Sequence, residues 1–173
     1  MPMESEPLLD SVIEIAGSAL EAEDRYVLGC STAAGKKGGL LRIPNERYYQ
    51  FVVCRGLLSR WDTVPEKWGH DAMIFINGEV STVIEMKCWL TESGRTEVPG
   101  IRDDIGKLQS AKSKSAIMMI FSGNPDGQTK KNIEILGDNV PELKTAAKRV
   151  YSFPNNPALW TRPRQLLGLR VAD

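Results

Sequence analysis

The chain has 173 residues, of which 42% are hydrophobic and 25% charged, and its 22 basic side chains balance 22 acidic ones. This composition is typical of one globular domain with a sizeable core, and it excludes a chain that is disordered throughout. The zero net charge excludes nucleic-acid binding through bulk charge, so any such binding needs a local basic patch. We see neither a run of about eighteen apolar residues nor a signal-peptide pattern, and therefore expect no membrane span and a cytoplasmic location.

The three cysteines, Cys30, Cys54 and Cys88, are odd in number and far apart. None of them forms a C-x-x-C pair, which argues against a disulfide framework or a zinc site. We expect each to be a small, buried apolar residue.

The first predicted element is an amphipathic helix over 8–22, where apolar residues recur at three- and four-residue spacing. Arg25–Ser31 is predicted as a short strand. The glycine-rich loop over 33–39 does not match the G-x-x-x-x-G-K-[ST] pattern, so we expect no nucleotide cofactor. Lys36 and Lys37 in this loop could contact a DNA backbone, and a solvated connector is the alternative.

A second helix is predicted to begin after Asn45, a residue type that commonly caps helix N-termini. Glu46 lies in its first turn. The carboxylate there could simply complement the helix dipole, worth about 0.3–1 kcal/mol, or it could belong to a functional site. Asp62–Lys67 is predicted as a short strand.

The segment Gly69–Lys87 has the alternation of a β-hairpin, with Asn77-Gly78 as its turn signal. The length of the turn decides which residues share a face, because side chains alternate along a strand with a period of two. A two-residue turn would pair Asp71 with Ile84 and would place Asp71 and Glu85 on opposite faces.

A three-residue loop over 76–78, with a bulge at its glycine, would instead pair Asp71 with Val83. Asp71, Glu85 and Lys87 would then point to one side, with the two acids within reach of a shared ligand. Two close carboxylates repel each other unless a cation lies between them, and one lysine leaves a residual negative charge. The geometry therefore favours a site for Mg²⁺, with Mn²⁺ expected to substitute.

The only histidine, His70, directly precedes Asp71. Its imidazole could shuttle a proton in the site, or it could be a structural neighbour.

The rest of the chain contains one clear buried strand and several helical stretches. The predicted elements are a polar loop over Thr91–Gly100, a helix over Arg102–Lys114, a strand over Ser115–Phe121, helices near Thr129–Leu136 and Pro141–Tyr151, and an extended tail from Ser152. On the first of these helices, Lys107 and Lys114 share one basic stripe.

Asp71, followed by a hairpin and Glu85-Met86-Lys87, resembles the core motif of the PD-(D/E)xK nuclease superfamily, although His70 stands where that motif has a proline. The resemblance covers about residues 43–122. It implies a single α/β domain over 1–173 with a restriction-endonuclease-like αβββαβ core, a central mixed sheet flanked by helices, an N-terminal helix over 8–22, and C-terminal helices and a tail over 126–173.

The resemblance also implies a set of site residues. Asp71, Glu85 and the backbone carbonyl of Met86 would hold Mg²⁺, Lys87 would orient the attacking water, and Glu46 would hold a second ion or a metal-bound water. Lys107 or Gln109 would approach the scissile phosphate, or would belong to a solvated basic face that includes Lys114.

The expected function is that of a Mg²⁺-dependent endonuclease acting on DNA in restriction, repair or recombination. One alternative is a nuclease-like fold that binds nucleic acid or protein without cutting. Another is an unrelated α/β interaction domain with a chance motif. Cutting both strands in one encounter would require a homodimer, because each subunit carries a single site.

Overall fold

A six-stranded mixed sheet forms the centre of this α/β protein, with helices on both of its faces. The computed structural model describes residues 8–33, 40, 43, 45–89, 95–123, 126–153 and 165–171. The strands are β1 Asp62–Lys67, β2 His70–Ile76, β3 Glu79–Trp89, β4 Ser115–Ser122, β5 Ala147–Ser152 and β6 Gln165–Val171. The helices are α1 Leu9–Ala33, α2 Glu46–Leu57, α3 Val98–Ser110 and α4 Asp126–Asn139, followed by a 3₁₀ turn over Pro141–Lys144.

The strands lie in the order β1-β2-β3-β4-β6-β5. β1, β2 and β3 form an antiparallel meander, whereas β3 and β4 are parallel and are joined through α3. β6 is antiparallel to both of its neighbours, β4 and β5. A parallel pair needs a crossover connection, and α3 supplies it on the face of the sheet where the candidate site lies.

Each face of the sheet has its own apolar core. Ala72, Ile74 and Ile84 point towards α1 and α2, whereas Met73 and Val83 point towards α3. Since side chains alternate along a strand, residues 71, 85 and 87 share the α3 face.

Several predicted elements are confirmed. α2 begins as expected, with the side chain of Asn45 accepting a hydrogen bond from the Tyr48 N–H over 3.4 Å. β1 has the predicted bounds, and β4 runs one residue beyond the predicted end and is buried along its whole length.

The N-terminal helix is longer than predicted, because α1 continues to Ala33 through the proposed strand Arg25–Ser31. The strand prediction is therefore wrong. Leu20, Asp24 and Leu28 are buried at four-residue spacing, and Asp24 accepts a hydrogen bond from the N–H of Leu40. Burial along one helical stripe outweighs the local strand preference of this segment.

The C-terminal part departs most from the prediction. Only Pro141–Lys144 of the predicted helix Pro141–Tyr151 is helical, as a 3₁₀ turn, and β5 follows it. The tail expected on the surface contains β6, a buried strand between β4 and β5. Residues 147–152 and 165–171 therefore form part of the central sheet, and of the predicted C-terminal helices only α4 is an α-helix.

Helix α3 spans Val98–Ser110 and so begins and ends four residues earlier than predicted. Pro99 lies in its first turn, where the missing N–H of proline costs no hydrogen bond. α4 is longer than the predicted Thr129–Leu136 and spans Asp126–Asn139.

The cysteines are buried to different degrees. Cys54 is buried, Cys88 is half-buried and Cys30 is exposed, so the expectation of burial is wrong for Cys30. Burial raises the pKa of the Cys54 thiol to about 11.

Within the described ranges, no helix is both long enough and apolar enough to cross a membrane.

Candidate active site

The turn of the β2–β3 hairpin has two residues, not three. Asn77 and Gly78 both have positive φ, 53° and 79°, and Ile76 pairs with Glu79. Positive φ at both central positions is the conformation of the type I′ turn that Asn-Gly favours. The predicted three-residue loop is therefore wrong.

A β-bulge further along the hairpin changes the register. Phe75 pairs with Val80, but Ile74 pairs with Thr82, which leaves Ser81 as an extra residue in β3. A bulge of this kind shifts every later side chain of its strand by one position relative to the partner strand.

The bulge brings the predicted residues to one face. Beyond it Ala72 pairs with Ile84, so the same register continued by one residue sets Asp71 opposite Glu85, not opposite Val83 as predicted. Asp71, Glu85 and Lys87 consequently lie on the α3 face, as predicted, although through a bulge instead of a longer turn.

The two carboxyl groups of this set are strongly perturbed. Glu85 is almost fully buried, and its pKa is raised to about 8, first by burial and then by repulsion from Asp71. The pKa of Asp71 is also raised by burial, against the effect of the Met86 N–H, which donates to Asp71 Oδ2 over 2.6 Å. Met86 thus joins the site through its N–H, and the role of its carbonyl as a metal ligand stays a prediction.

Two further acids hold the amine of Lys87. Its Nζ lies 2.9 Å from Asp104 Oδ2 and 3.1 Å from Glu46 Oε1. Burial acts to lower the pKa of Lys87, but the hydrogen bonds and charges of Asp104 and Glu46 outweigh it and raise the pKa above its usual value. Lys87 is therefore a firmly protonated amine that is fixed from two elements, α2 and α3.

Asp104 is a site residue that the sequence analysis missed. It is buried, and its Oδ1 lies 2.6 Å from Lys107 Nζ, while Lys107 also approaches Glu85 Oε2 at 3.9 Å. One signal could have identified it: Asp104 falls on the same helical stripe as the apolar Ile101 and Leu108. An acid on the buried stripe of a helix requires a partner.

His70 also belongs to the cluster. Its Nδ1 lies 2.7 Å from Glu85 Oε1. Burial and the nearby Lys107 lower the pKa of His70, against an opposing effect of Asp71. The imidazole can therefore exchange a proton with a carboxyl group whose pKa is close to neutral.

The other predicted residues lie away from this cluster or outside the described chain. Gln109 is exposed on α3. It lies two residues after Lys107, so the two side chains point to roughly opposite sides of the helix. Lys114 follows the end of α3, so it does not share a helical stripe with Lys107, and it lines a separate groove with Thr145 and Arg170. Lys36 and Lys37 lie outside the described residues.

The donor set can be compared with the needs of Mg²⁺. Among the described residues, no group of three or more His, Cys, Asp or Glu side chains could hold a metal ion. In many proteins Mg²⁺ is coordinated by only one or two carboxylates, and water and phosphate oxygens occupy its other coordination positions. The raised pKa values of Asp71 and Glu85 reflect their burial and mutual repulsion, which a cation between them would relieve. The pair therefore fits Mg²⁺ with two protein side chains.

No protein-family model matches the chain, and searches of the curated proteins and of the solved structures return no match.

Proposed function

We propose that the protein is a Mg²⁺-dependent deoxyribonuclease of the PD-(D/E)xK type with a restriction-endonuclease-like fold. The observation that carries the proposal is the position of Asp71, Glu85 and Lys87 on one face of the sheet, with Lys87 held by Glu46 and Asp104. The expected cytoplasmic location and the homodimer belong to the same proposal.

Phosphodiester hydrolysis needs a nucleophilic water and stabilisation of the negative charge on the phosphoryl oxygens. Asp71 and Glu85 are the residues that would hold Mg²⁺, with the Met86 carbonyl as an expected third ligand. When bound there, Mg²⁺ would neutralise charge on the phosphate and lower the pKa of a bound water.

Lys87 supplies a fixed positive charge beside the two carboxyl groups. Its ammonium has three donor hydrogens. Glu46 Oε1 accepts one of them, and Asp104 Oδ2 forms an ion pair with the amine at 2.9 Å. A preorganised cation stabilises developing charge without reorganising during the reaction. These contacts favour Lys87 as the cation that stabilises the developing charge. Asp104 and Glu46 would then position its amine.

His70 and Lys107 form the edge of the site. The side chain of Lys107 is 50% exposed, so its amine can approach a phosphate oxygen while it remains near Asp104. His70 contacts Glu85 and can take up or release a proton as that carboxyl group changes its charge.

A binding module without catalysis is the second candidate. The observation in its favour is that two acids occupy the Lys87 amine, since a lysine that is fully engaged could be purely structural. Such a protein would bind nucleic acid in a salt-sensitive manner and would not cleave it.

The decisive experiment incubates supercoiled plasmid with the protein in Mg²⁺, in Mn²⁺ and in EDTA. We expect nicked or linear products with either metal and none in EDTA. Lys87→Ala should lower the cleavage rate by on the order of 10²–10³-fold, the usual loss when one preorganised electrostatic group is removed. Circular dichroism should show that the variant keeps its secondary structure.

Lys148→Ala is the matched control. Lys148 is an exposed lysine on β5, so replacing it by alanine changes the net charge by the same amount as Lys87→Ala. It lies far from the candidate site, because β5 is the edge strand opposite β1. We expect its cleavage rate to equal that of the wild type. A folded Lys87→Ala variant with full activity would contradict the proposed role of Lys87, and salt-sensitive binding without cleavage by the wild type would favour the binding module.

A further inference from the structure

An open groove of about 590 Å³ lies beside the candidate active site. One wall is the tip of the β1–β2 hairpin, and the other is the exposed side of α3. Its walls include Trp68, Gly69, His70, Gly106, Lys107 and Ser110.

Trp68 is the most exposed large apolar side chain of the described residues, at 70% exposure. It also has a φ of 54°, in the left-handed region that disfavours residues with a side chain, and Gly69 follows with a φ of 83°. The Trp68-Gly69 pair thus forms a two-residue hairpin turn in which tryptophan stands where Asn, Asp or Gly is usual. A bulky residue at positive φ is a genuine outlier, and such strain clusters at binding sites.

The indole is held in place although it is exposed. Its ring contacts Phe75 edge-on, with 6.3 Å between ring centroids and 69° between ring planes. Lys67 Nζ lies 4.9 Å from the Trp68 ring centroid and 4.6 Å from that of Phe75. The result is an aromatic surface with a cation on one side and Lys107 across the groove.

Both walls of the groove continue into the candidate active site. On the hairpin wall, His70 contacts Glu85 at 2.7 Å. On the helix wall, Lys107 contacts Asp104 at 2.6 Å and approaches Glu85 at 3.9 Å. A polymer in the groove would therefore reach the acid pair without leaving the surface.

An exposed aromatic ring flanked by lysines is the arrangement that binds single-stranded nucleic acid. Each base stacks on the ring, and the cations contact the phosphates between bases. We propose that this groove binds single-stranded DNA, with one unpaired base stacked on Trp68 and the adjoining phosphate near Lys107. This inference rests on the proposed nuclease function, and it makes the preferred substrate a DNA with an unpaired base next to the cleaved bond.

Binding is tested without cleavage. A fluorescein-labelled single-stranded oligonucleotide and the same sequence in a duplex are titrated with protein in EDTA at one fixed salt concentration, and anisotropy is measured. Trp68→Ala should weaken single-strand binding by about 5- to 100-fold, the loss typical of one base-stacking aromatic residue. It should change duplex binding by less than about 2-fold. Trp68→Phe should keep most of the affinity, since a phenyl ring also stacks.

Phe51→Ala is the matched control, because Phe51 is another aromatic residue with 59% exposure, located on α2 on the other face of the sheet. It should bind both oligonucleotides like the wild type. Equal single-strand affinity for Trp68→Ala and wild type would overturn the inference, as would an equal loss on duplex and single strand. If the groove instead binds a protein partner, Trp68→Ala and the wild type should have equal affinity for the single strand.

The two proposals can fail separately. If Trp68 supports single-strand binding but the wild type cleaves neither plasmid nor a DNA that contains an unpaired base, the nuclease proposal fails and the assignment of the groove to single-strand binding stands. If the wild type nicks plasmid and single-strand binding does not depend on Trp68, only the groove assignment fails.

Discussion

His70 Nδ1 lies 2.7 Å from Glu85 Oε1, on a carboxyl group that is 2% exposed. Burial disfavours the charged form of both side chains, so the pKa of His70 is lowered and that of Glu85 is raised to about 8. Asp71, Asp104 and Lys107 are the other charged groups that act on Glu85. This pair should control how the stability of the protein depends on pH.

The signs of the two effects differ. Glu85 binds its proton more tightly in the folded than in the unfolded state, so stability falls as pH rises from the unfolded pKa of 4.5 to the folded pKa of about 8. His70 acts in the opposite direction, but only up to its unfolded pKa of 6.5. Between about pH 6.5 and 8 the effect of Glu85 therefore remains. The pKa of Asp71 is also raised, so its effect has the same sign and begins above its unfolded pKa of 3.8.

We predict that the free energy of unfolding, measured with urea in EDTA, falls by about 1–2 kcal/mol across that window. Glu85→Gln should remove most of this fall and should be more stable than the wild type at about pH 9. Glu79→Gln, an exposed acid on the same strand, should behave like the wild type. A wild-type stability that rises across the window would contradict the burial of an acid pair.

Divalent metal should stabilise the protein through the same acids. With Mn²⁺ at about 100 times its Kd, the free energy of unfolding should rise by about 2.7 kcal/mol. For a domain of this size, that corresponds to a rise in Tm of roughly 5–10 °C. The rise should be smaller at about pH 5 than at about pH 8, because protons compete for Glu85.

Differential scanning fluorimetry measures this shift without any substrate. Asp71→Asn should abolish it, whereas Asp62→Asn, a change at an exposed acid on β1, should not. An unchanged shift in Asp71→Asn would place the metal elsewhere.

Asp104→Asn tests the acid that joins α3 to the site. The substitution replaces the carboxylate, which forms ion pairs with Lys87 at 2.9 Å and Lys107 at 2.6 Å, with an uncharged amide. Losing the ion pair with Lys87 and the charge-assisted hydrogen bond from Lys107 at a buried group should cost about 1–3 kcal/mol of unfolding free energy. The pKa of the Lys87 amine, followed by NMR, should also fall, because Asp104 is one of the two groups that raise it.

Asp103→Asn on the same helix is the control, since Asp103 is exposed. It should leave both the stability and the Lys87 pKa unchanged. If the Lys87 pKa is the same in Asp104→Asn as in the wild type, Asp104 does not position that amine.

Gly168→Ala tests the place of β6 in the sheet. A Cβ atom at Gly168 would lie 2.3 Å from Cγ1 and Cδ1 of Ile13, which is fully buried on α1. Overpacking of this kind should cost about 1–3 kcal/mol, measured by urea unfolding, and Ile13→Val should recover part of it in the double variant.

Gly29→Ala is the matched control, because an added Cβ there meets nothing within 4 Å. At this helical position alanine should raise stability by about 0.5–1 kcal/mol. A neutral Gly168→Ala would mean that β6 does not pass beneath α1.

The features that could be predicted from the sequence are those encoded within a few neighbouring residues. The position of the hairpin turn at Asn77-Gly78, though not its length, the cap at Asn45 and the continuously apolar β4 depend on local conformational preference and on side-chain periodicity. The alternation of β2 and β3 also set Glu85 and Lys87 on one face of their strand, since they are two residues apart.

Other features depend on residues far away in the chain, and only the tertiary structure decided them. Ser81 became a bulge, and so brought Asp71 across from Glu85, because the cores on both faces of the sheet had to be filled at once. β6 became an inner strand because β4 and β5 pair with its two edges.

Asp104 could be buried only because Lys87 and Lys107 reach it, one from β3 and the other from its own helix. The sequence by itself determined which side chains were present at the hairpin and their order along each strand. Folding decided which of them meet, because the energy of a buried charge depends on the partners that other elements bring to it.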